Sequence, residues 1–357
     1  MKRIEVAAGA LRYDVLVGPL EGARERLPAS AILVSEPKVF ALHGDRVRAL
    51  LGAEAPILLP EGEAAKQWEV LHFLLAQFAD RKASRSTAIL SLGGGSVGDV
   101  AGLAASLFKR GCPIVHLPTT LLSQADSAVG GKTAIDAFGE KNLVGSFHQP
   151  SLVIADPAFL GTLDPRQLRS GYAEILKYGL IDDAPFFAWC LANGPALLAG
   201  DPALREHAIT TAIAAKARLI AGDVEDRTGQ RALLNLGHSF AHAIESEAGL
   251  GRLAHGEAVA IGLVLALRFS AALGLCAPQD ADHLAVHLAE VGLPSTLAEA
   301  GVPGPALLEW IARDKKNGGA ALTLILARGI GQAFVARDVD AERLASFLDT
   351  VTSSRSS

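Results

Sequence analysis

A chain of 357 residues, 50% hydrophobic and 20% charged, is long enough for about two domains with full cores, so general disorder is excluded and only the Ser-rich end, residues 351–357, is expected to form a disordered tail. A net charge of -5 removes any general pull toward nucleic acid or an anionic membrane, so a bound anion must be held by local groups. Cys112, Cys190 and Cys276 form no CxxC, which argues against a disulfide framework or thiolate metal site and fits a reducing cytoplasm.

The opening MKRIEVAAGALRYDVLVG carries charges throughout, and no signal peptide is expected there. Short β-branched runs then alternate with helical patterns: AILVSE at 31, APILLPEGE at 55, TAILSLGGG at 87, CPIVHLPTT at 112 and SLVIADP at 151, with QWEVLHFLLAQFADR among the helical stretches. That alternation predicts βαβ units around a parallel sheet. TAILSLGGGSVGDVAGLAAS reads as strand, glycine turn and helix, and Gly93, Gly95 and Gly98 satisfy GxGxxG. Such glycines let the backbone approach a pyrophosphate at a helix N-terminus, although a turn needed only for packing has the same look. The next strand ends in Thr119 and Thr120 rather than an acid, so an acid for an adenosine ribose must come from an earlier strand, with Glu36 the candidate. PEGEAAK, Pro60 to Lys66, is a second polar turn that could touch a cofactor or be a plain loop.

After about Thr162 the texture changes to Ala/Leu-rich helical segments broken at NGPA, GDPA and GLPS, with a hairpin-like ALTLILARGIGQAFVARDV near the end. Domains are therefore expected at 1–162 and 163–357. Ala258 to Cys276 has nearly the length of a membrane span, but Arg268 in its middle points to a buried central helix instead. LNLGHSFAHAIE sets His238 and His242 one helical turn apart, HGEAVAIG places His255 just before the central helix, and Glu174 falls on an apolar helical stretch where a carboxylate must be paired or metal-bound. The three residues Glu174, His238 and His255 have the donor types of a catalytic zinc site, and three separate structural roles would also fit. No Glu follows His238, so HExxH does not apply; His242 has the pKa range for proton transfer. Basic residues recur in apolar or glycine-rich settings: Arg110, Lys132, Lys141, Lys177, Arg231 and the Lys315-Lys316 pair. With Asp126 and Asn142 nearby in sequence, they suit a phosphorylated, hydroxyl-rich substrate.

Taken together, GGGSVGDVAG, PTTLLSQADSAVGGKT, KNLVGSFHQP, YAEILKYGLI, LNLGHSFAHAIE, HGEAVAIG and RDKK resemble the 3-dehydroquinate synthase family, in order and across nearly the whole chain. The resemblance implies a Rossmann-like α/β N-terminal dinucleotide-binding domain, a mostly α-helical C-terminal metal-binding domain, and an active site in the cleft between them. It implies conversion of the sugar phosphate 3-deoxy-D-arabino-heptulosonate 7-phosphate to 3-dehydroquinate and phosphate, a shikimate-pathway step. In the family NAD oxidises a ring hydroxyl, phosphate is eliminated, the alcohol is restored, and ring opening and aldol closure follow. NAD and one divalent metal, zinc or cobalt, are the implied cofactors, and a homodimer the implied assembly.

Carried over by motif, Glu174, His238 and His255 match metal ligands. Asp126, Lys132, Asn142, Lys177, Arg231, Asn235, His242, Lys315 and Lys316 match substrate positions, with Arg110 and Lys216 as further candidates. His242 matches a residue placed for proton transfer. Cofactor positions are Glu36, Glu61, Gly62, Glu63, Lys66, Gly95, Ser96, Val97, Gly98, Asp99, Thr119, Thr120, Lys132, Lys141, Phe159, Leu160, Gly161 and Thr162. Three departures stand out: Ala241 where the family usually has glycine, an interval from Lys216 to Arg231 one residue longer than usual, and Glu36 where aspartate is more familiar. Sister sugar-phosphate cyclases share the scaffold, and a metal-dependent polyol dehydrogenase pairs a similar turn with a helical metal domain. The clustered lysines count against the dehydrogenase, and a dead binding protein would be expected to have lost a ligand or a lysine.

Overall fold

The computed structural model describes residues 1–51, 55–223, 229–249, 251–315 and 322–353. It divides into two compact units, Met1–Asp164 with Pro202–Glu225, and Pro165–Asp201 with Asp226–Ser357.

The first unit begins with an antiparallel pair, β1 (Lys2–Ala8) and β2 (Leu11–Val17). It continues through β3 (Ala31–Ser35), α1 (Pro37–Leu51), β4 (Ile57–Leu58), α2 (Trp68–Asp80), β5 (Ala88–Gly93), α3 (Gly95–Leu107) and β6 (Ile114–Pro118), then β7 (Lys132–Ala137), β8 (Glu140–Phe147) and β9 (Leu152–Ala155). Seven strands form one sheet in the order β1-β2-β9-β6-β5-β3-β4, parallel apart from the β1 edge. β3, β5, β6 and β9 are buried along their whole lengths, because helices cover both sheet faces; this is why they read as unbroken apolar runs. One face packs on Leu71, Leu74 and Phe78 of α2 and Val97, Val100 and Ala104 of α3, the other on Val47 and Leu51 of α1. The run at 55 yields a strand of just two residues: Pro56 and Pro60 bracket it, and proline cannot donate to a ladder, so β4 survives as a short edge.

From β3 the chain moves outward to β4 and returns as β5 on the other side of β3. The topological reversal therefore lies between β3 and β5, whose carboxyl ends carry Glu36 and the glycine turn; such a switch point is where open α/β sheets bind ligands. β7 and β8 form a separate antiparallel hairpin packed on α3. Its glycines and short alternation hid it in the sequence.

Two polar side chains sit at adjacent positions in the middle of this sheet. Ser91 Oγ lies 2.7 Å from His116 Nδ1, and the residues are 3% and 6% exposed. Burial, with a smaller push from His148, lowers the His116 pKa from 6.5 to about 4. The folded value lies below the unfolded one, so stability is complete above pH 6.5 and is lost as pH falls toward 4, by about 3 kcal/mol once both states are protonated. His116→Gln should remove this slope: its thermal midpoint should change less than the parent's between pH 6.5 and 4, measured by circular dichroism. Equal slopes would mean that the imidazole charges without cost.

The next helices are α4 (Pro165–Asp182), α5 (Ala184–Ala199) and α6 (Pro202–Ala221). α4 and α5 open the second unit, whereas α6, which lies within the expected 163–357 domain, groups with the first. Ala208, Ile209, Ala212 and Ile213 of α6 are buried, and the helix packs on β1 and on the Ser123–Ser127 turn. A helical stripe of Ala and Ile suits a sheet as well as a bundle, so periodicity could not assign it.

The second unit continues with α7 (His238–Ala248), α8 (His255–Ala272), α9 (Pro278–Glu290), α10 (Leu297–Ala300), α11 (Gly304–Lys315), the antiparallel pair β10 (Leu322–Ala327) and β11 (Ala333–Val339), and α12 (Ala341–Ser353). α8 is the central element expected of the long apolar stretch: Ala258 to Leu267 are buried without interruption, against α4, α7 and α9, and Arg268 is half-buried. Residues 351–353, expected in a disordered tail, form the end of α12, while 354–357 lie outside the described residues. All three cysteines are free.

Candidate functional site

The second unit brings Glu174, His238 and His255 together. Glu174 lies in the middle of α4, His238 is the first residue of α7 and His255 the first of α8; one ligand atom from each lies within 4.8 Å of the others. Glu174 Oε1 is 3.4 Å from His238 Nε2 and 3.2 Å from His255 Nε2. Bonds of 2.0–2.2 Å at tetrahedral angles give ligand-to-ligand edges of about 3.4 Å, so two edges already match a zinc-type site. The other oxygen of Glu174 pairs with Lys177 Nζ at 2.6 Å, and both side chains are buried. Burial pushes the Glu174 carboxyl up, but the Lys177 ammonium and then the two imidazoles outweigh it and hold it well below the usual carboxylate range.

The tautomers suit ligation. His238 Nδ1 is 3.1 Å from the Leu236 carbonyl oxygen, which can only accept, so Nδ1 donates and Nε2 keeps its lone pair. His255 Nδ1 lies 3.5 Å from Glu245 Oε2. Burial works against an imidazolium at His255, yet Glu174 and Glu245 on either side lift it to about 10. His242 is exposed and outside this triad, with its ring 5.7 Å from that of His238 and 6.4 Å from that of His255. The pair one turn apart thus divides into one member of the cluster and one neighbour. Glu245 was missed in the sequence, although its position seven residues after His238 puts it on the same face of α7.

Backbone contacts hold these helix starts in place. Gly237 has φ +77°, and a Cβ on Gly262 of α8 would lie 2.2 Å from the Gly237 oxygen. A Cβ on Gly256 would lie 1.9 Å from the Ser170 oxygen of α4. Arg231 is buried and, with half-buried Asn235, lies on the single turn of helix that leads into α7. Lys315 ends α11, and Lys316 lies outside the described residues.

The glycine turn of the first unit opens a pocket lined by Ser91, Gly93, Gly94, Gly95, Gly98, Asp99, His116, Ser123, Ser127 and Lys132, among others. Ser96 and Val97 lie in the first turn of α3, with the Val97 side chain in the core; Thr119 and Thr120 follow β6. Lys66 Nζ reaches Asp99 Oδ2 at 2.7 Å and also donates to Asn142, in β8 of the unforeseen hairpin. Burial works against the Lys66 charge, but the Asp99 carboxylate outweighs it and raises the lysine; Asp99 is itself pushed up by burial, with Lys66 opposing that rise. Asn142 has φ +56°, and its N–H donates to Asp136 Oδ1 at 2.8 Å. Exposed Lys141 stands beside it. Glu36 accepts from the Gly62 N–H at 3.2 Å, which joins it to the Glu61–Lys66 turn that also carries Glu63.

Lys216 of α6 donates to the Asp126 backbone oxygen at 2.7 Å and pairs with its carboxylate. Arg110, exposed with φ +66°, ends a turn after α3. Phe159 and Leu160 are core side chains, so a ligand could reach only their backbone, whereas Gly161 and Thr162 are exposed.

The family model for the 3-dehydroquinate synthase N-terminal region matches residues 56–170, and that for the 3-dehydroquinate synthase C-terminal region matches 171–317. The chain belongs to the 3-dehydroquinate synthase family. Among the family's curated members, 3-dehydroquinate synthase of Caulobacter vibrioides is 47% identical, with 98% of each chain covered. That of Zymomonas mobilis is 50% identical over 82% of this chain and 78% of its own. A solved structure of 2-epi-5-epi-valiolone synthase from Streptomyces hygroscopicus subsp. jinggangensis, with NAD+ and Zn2+ bound, is 30% identical, with a TM-score of 0.88 over 97% of this chain and 98% of that one. Both family regions run through the residues described above, from the Pro60–Lys66 turn to the end of α11.

Proposed function

We propose that this chain converts 3-deoxy-D-arabino-heptulosonate 7-phosphate to 3-dehydroquinate and phosphate, as an NAD- and divalent-metal-dependent phosphorus–oxygen lyase of the shikimate pathway, in the cytoplasm and as a homodimer. The observation that carries the reading is the Glu174–His238–His255 cluster, buttressed by Lys177, in a chain of this family. The donor set fits zinc or cobalt, which when bound would act as a Lewis acid on a substrate hydroxyl. NAD would serve as a hydride acceptor and donor that is restored within each turnover, held by the Gly95–Asp99 turn, Glu36, Glu61 to Lys66, Thr119, Thr120, Lys132, Lys141 and the Phe159–Thr162 turn.

The chain's own groups supply the rest. Lys132, Lys177, Arg231 and Lys315 or Lys316, with Arg110 and Lys216, would bind the carboxylate and phosphate by charge-assisted hydrogen bonds. Asp126, Asn142 and Asn235 would orient hydroxyls. His242, exposed beside the triad, would accept or return a proton at its imidazole nitrogen.

The test is phosphate release from 3-deoxy-D-arabino-heptulosonate 7-phosphate with trace NAD and added zinc, before and after chelation, while NADH absorbance is followed. Phosphate release that stops on chelation and restarts with zinc, without net NADH, is the expected result. Steady NADH accumulation would turn the assignment to a polyol dehydrogenase. Release from other sugar phosphates alone would indicate a sister cyclase, the reading that the valiolone synthase structure favours second.

A further inference from the structure

We propose that Glu245 is a positioning residue of this metal centre, orienting the His255 imidazole and fixing its tautomer so that Nε2 is left for the metal. The proposal rests on the metal reading above and goes beyond the triad itself.

Three observations carry it. His238, His242 and Glu245 recur at i, i+4 and i+7 on α7, so one helix face presents a ligand, its neighbouring imidazole and a carboxylate. His255 spans two carboxylates, with Nε2 3.2 Å from Glu174 and Nδ1 3.5 Å from Glu245, whose side chain is 11% exposed. With a divalent ion bound, an acceptor on the Nδ1 side keeps the ring proton at that nitrogen and leaves the Nε2 lone pair for the metal. His238 is held in the same sense by a different device, the Leu236 carbonyl at its Nδ1. The two histidines thus have equivalent tautomers, one set by a backbone atom that mutation cannot remove and the other by a side chain that it can.

Charge supports the same role. Lys177 neutralises Glu174, and Glu257, the acid two residues beyond His255, is taken by Arg166 and the Ala254 N–H. Glu245 adds a further carboxylate on the far side of the His255 ring. Carboxylates behind a ligating histidine raise its basicity, and their removal weakens metal binding by about 10–100-fold.

The experiment compares the full-length parent, Glu245→Ala and Glu245→Gln. Zinc affinity is read by chelator competition, the visible spectrum after cobalt loading, and the thermal midpoint of each metal-free protein. The expected result is a loss of about 10–100-fold in zinc affinity for Glu245→Ala. Glu245→Gln should fall between, because its amide oxygen still accepts from Nδ1 but carries no charge, and the cobalt spectrum should shift most in the alanine variant. Unchanged affinity in Glu245→Ala, with the parent binding zinc, overturns the proposal and leaves the metal reading standing. A parent that binds no zinc overturns both. If the alanine variant does not fold, the glutamine variant decides: parental affinity and spectrum overturn the proposal. A loss of metal-free stability without a change in affinity assigns Glu245 a purely structural role and overturns it as well.

Discussion

Glu174→Gln is expected to leave a folded protein that no longer retains zinc and turns over at least about a thousandfold more slowly, since a metal's stabilisation of developing charge amounts to several kcal/mol and each 1.4 kcal/mol is tenfold in rate. The amide keeps the shape of the side chain but not its charge. Three interactions change at once: Nε2 of His238 and of His255 lose their shared carboxylate oxygen, and Lys177, 2% exposed, faces a neutral group. Breaking a buried ion pair from one side costs about 3–5 kcal/mol, because the remaining charge stays buried beside a neutral group. Stability and activity should therefore fall together in Glu174→Gln and separate in Glu174→Gln/Lys177→Met, which should regain much of the thermal midpoint but no zinc. Zinc content after gel filtration and calorimetric unfolding distinguish the two losses. Retention of one zinc per chain by Glu174→Gln would show that the carboxylate is not a ligand.

Gly256→Ala is expected to be nearly as damaging although the change is one methyl group. The added Cβ would lie 1.9 Å from the Ser170 oxygen and 2.5 Å from its carbonyl carbon, backbone atoms that cannot rotate away. The Gly256 N–H also donates to Ser170 Oγ at 2.9 Å, so the first turn of α8 is tied to α4 at this point. Relief requires the helices to part, at a cost of about 1–3 kcal/mol or more, which for a unit of this size is roughly 2–12 °C in the thermal midpoint. The damage is local to the chemistry: His255 is the preceding residue, and Glu174 is one turn beyond Ser170. Zinc affinity should therefore fall with stability. Gly161→Ala is the control for stability, since nothing lies within 4 Å of its added Cβ. Equal thermal midpoints for the two variants would show that α8 slides without strain.

Much of the first unit could be read from local pattern. Unbroken β-branched runs gave β3, β5, β6 and β9, and the glycines gave the turn from β5 into α3, because a parallel strand buried on both faces and a tight turn are each legible within about ten residues. The hairpin β7–β8, which puts Asn142 on Lys66, was not legible: β8 is interrupted by Gly145 and has no buried position, so it shows no apolar run. α6 was recognisable as a helix but not as a member of the first unit, because its apolar stripe records that it packs and not what it packs on.

The same division holds at the metal cluster. Residue chemistry nominated Glu174, His238 and His255 as donors, because ligand preference is a property of short segments, but spacing left His242 open as a second ligand or a proton-transfer group, and the family resemblance alone divided the pair. Convergence of α4, α7 and α8 is a property of packing. It depends on Gly237 against Gly262 and Gly256 against Ser170, contacts between residues 25 and 86 positions apart that leave no local trace beyond a glycine. The orienting roles of Leu236 and Glu245 belong to that second category: they arise when a backbone carbonyl and a carboxylate come to face an imidazole nitrogen, and a sequence records neither the direction of a ring nor the position of its proton.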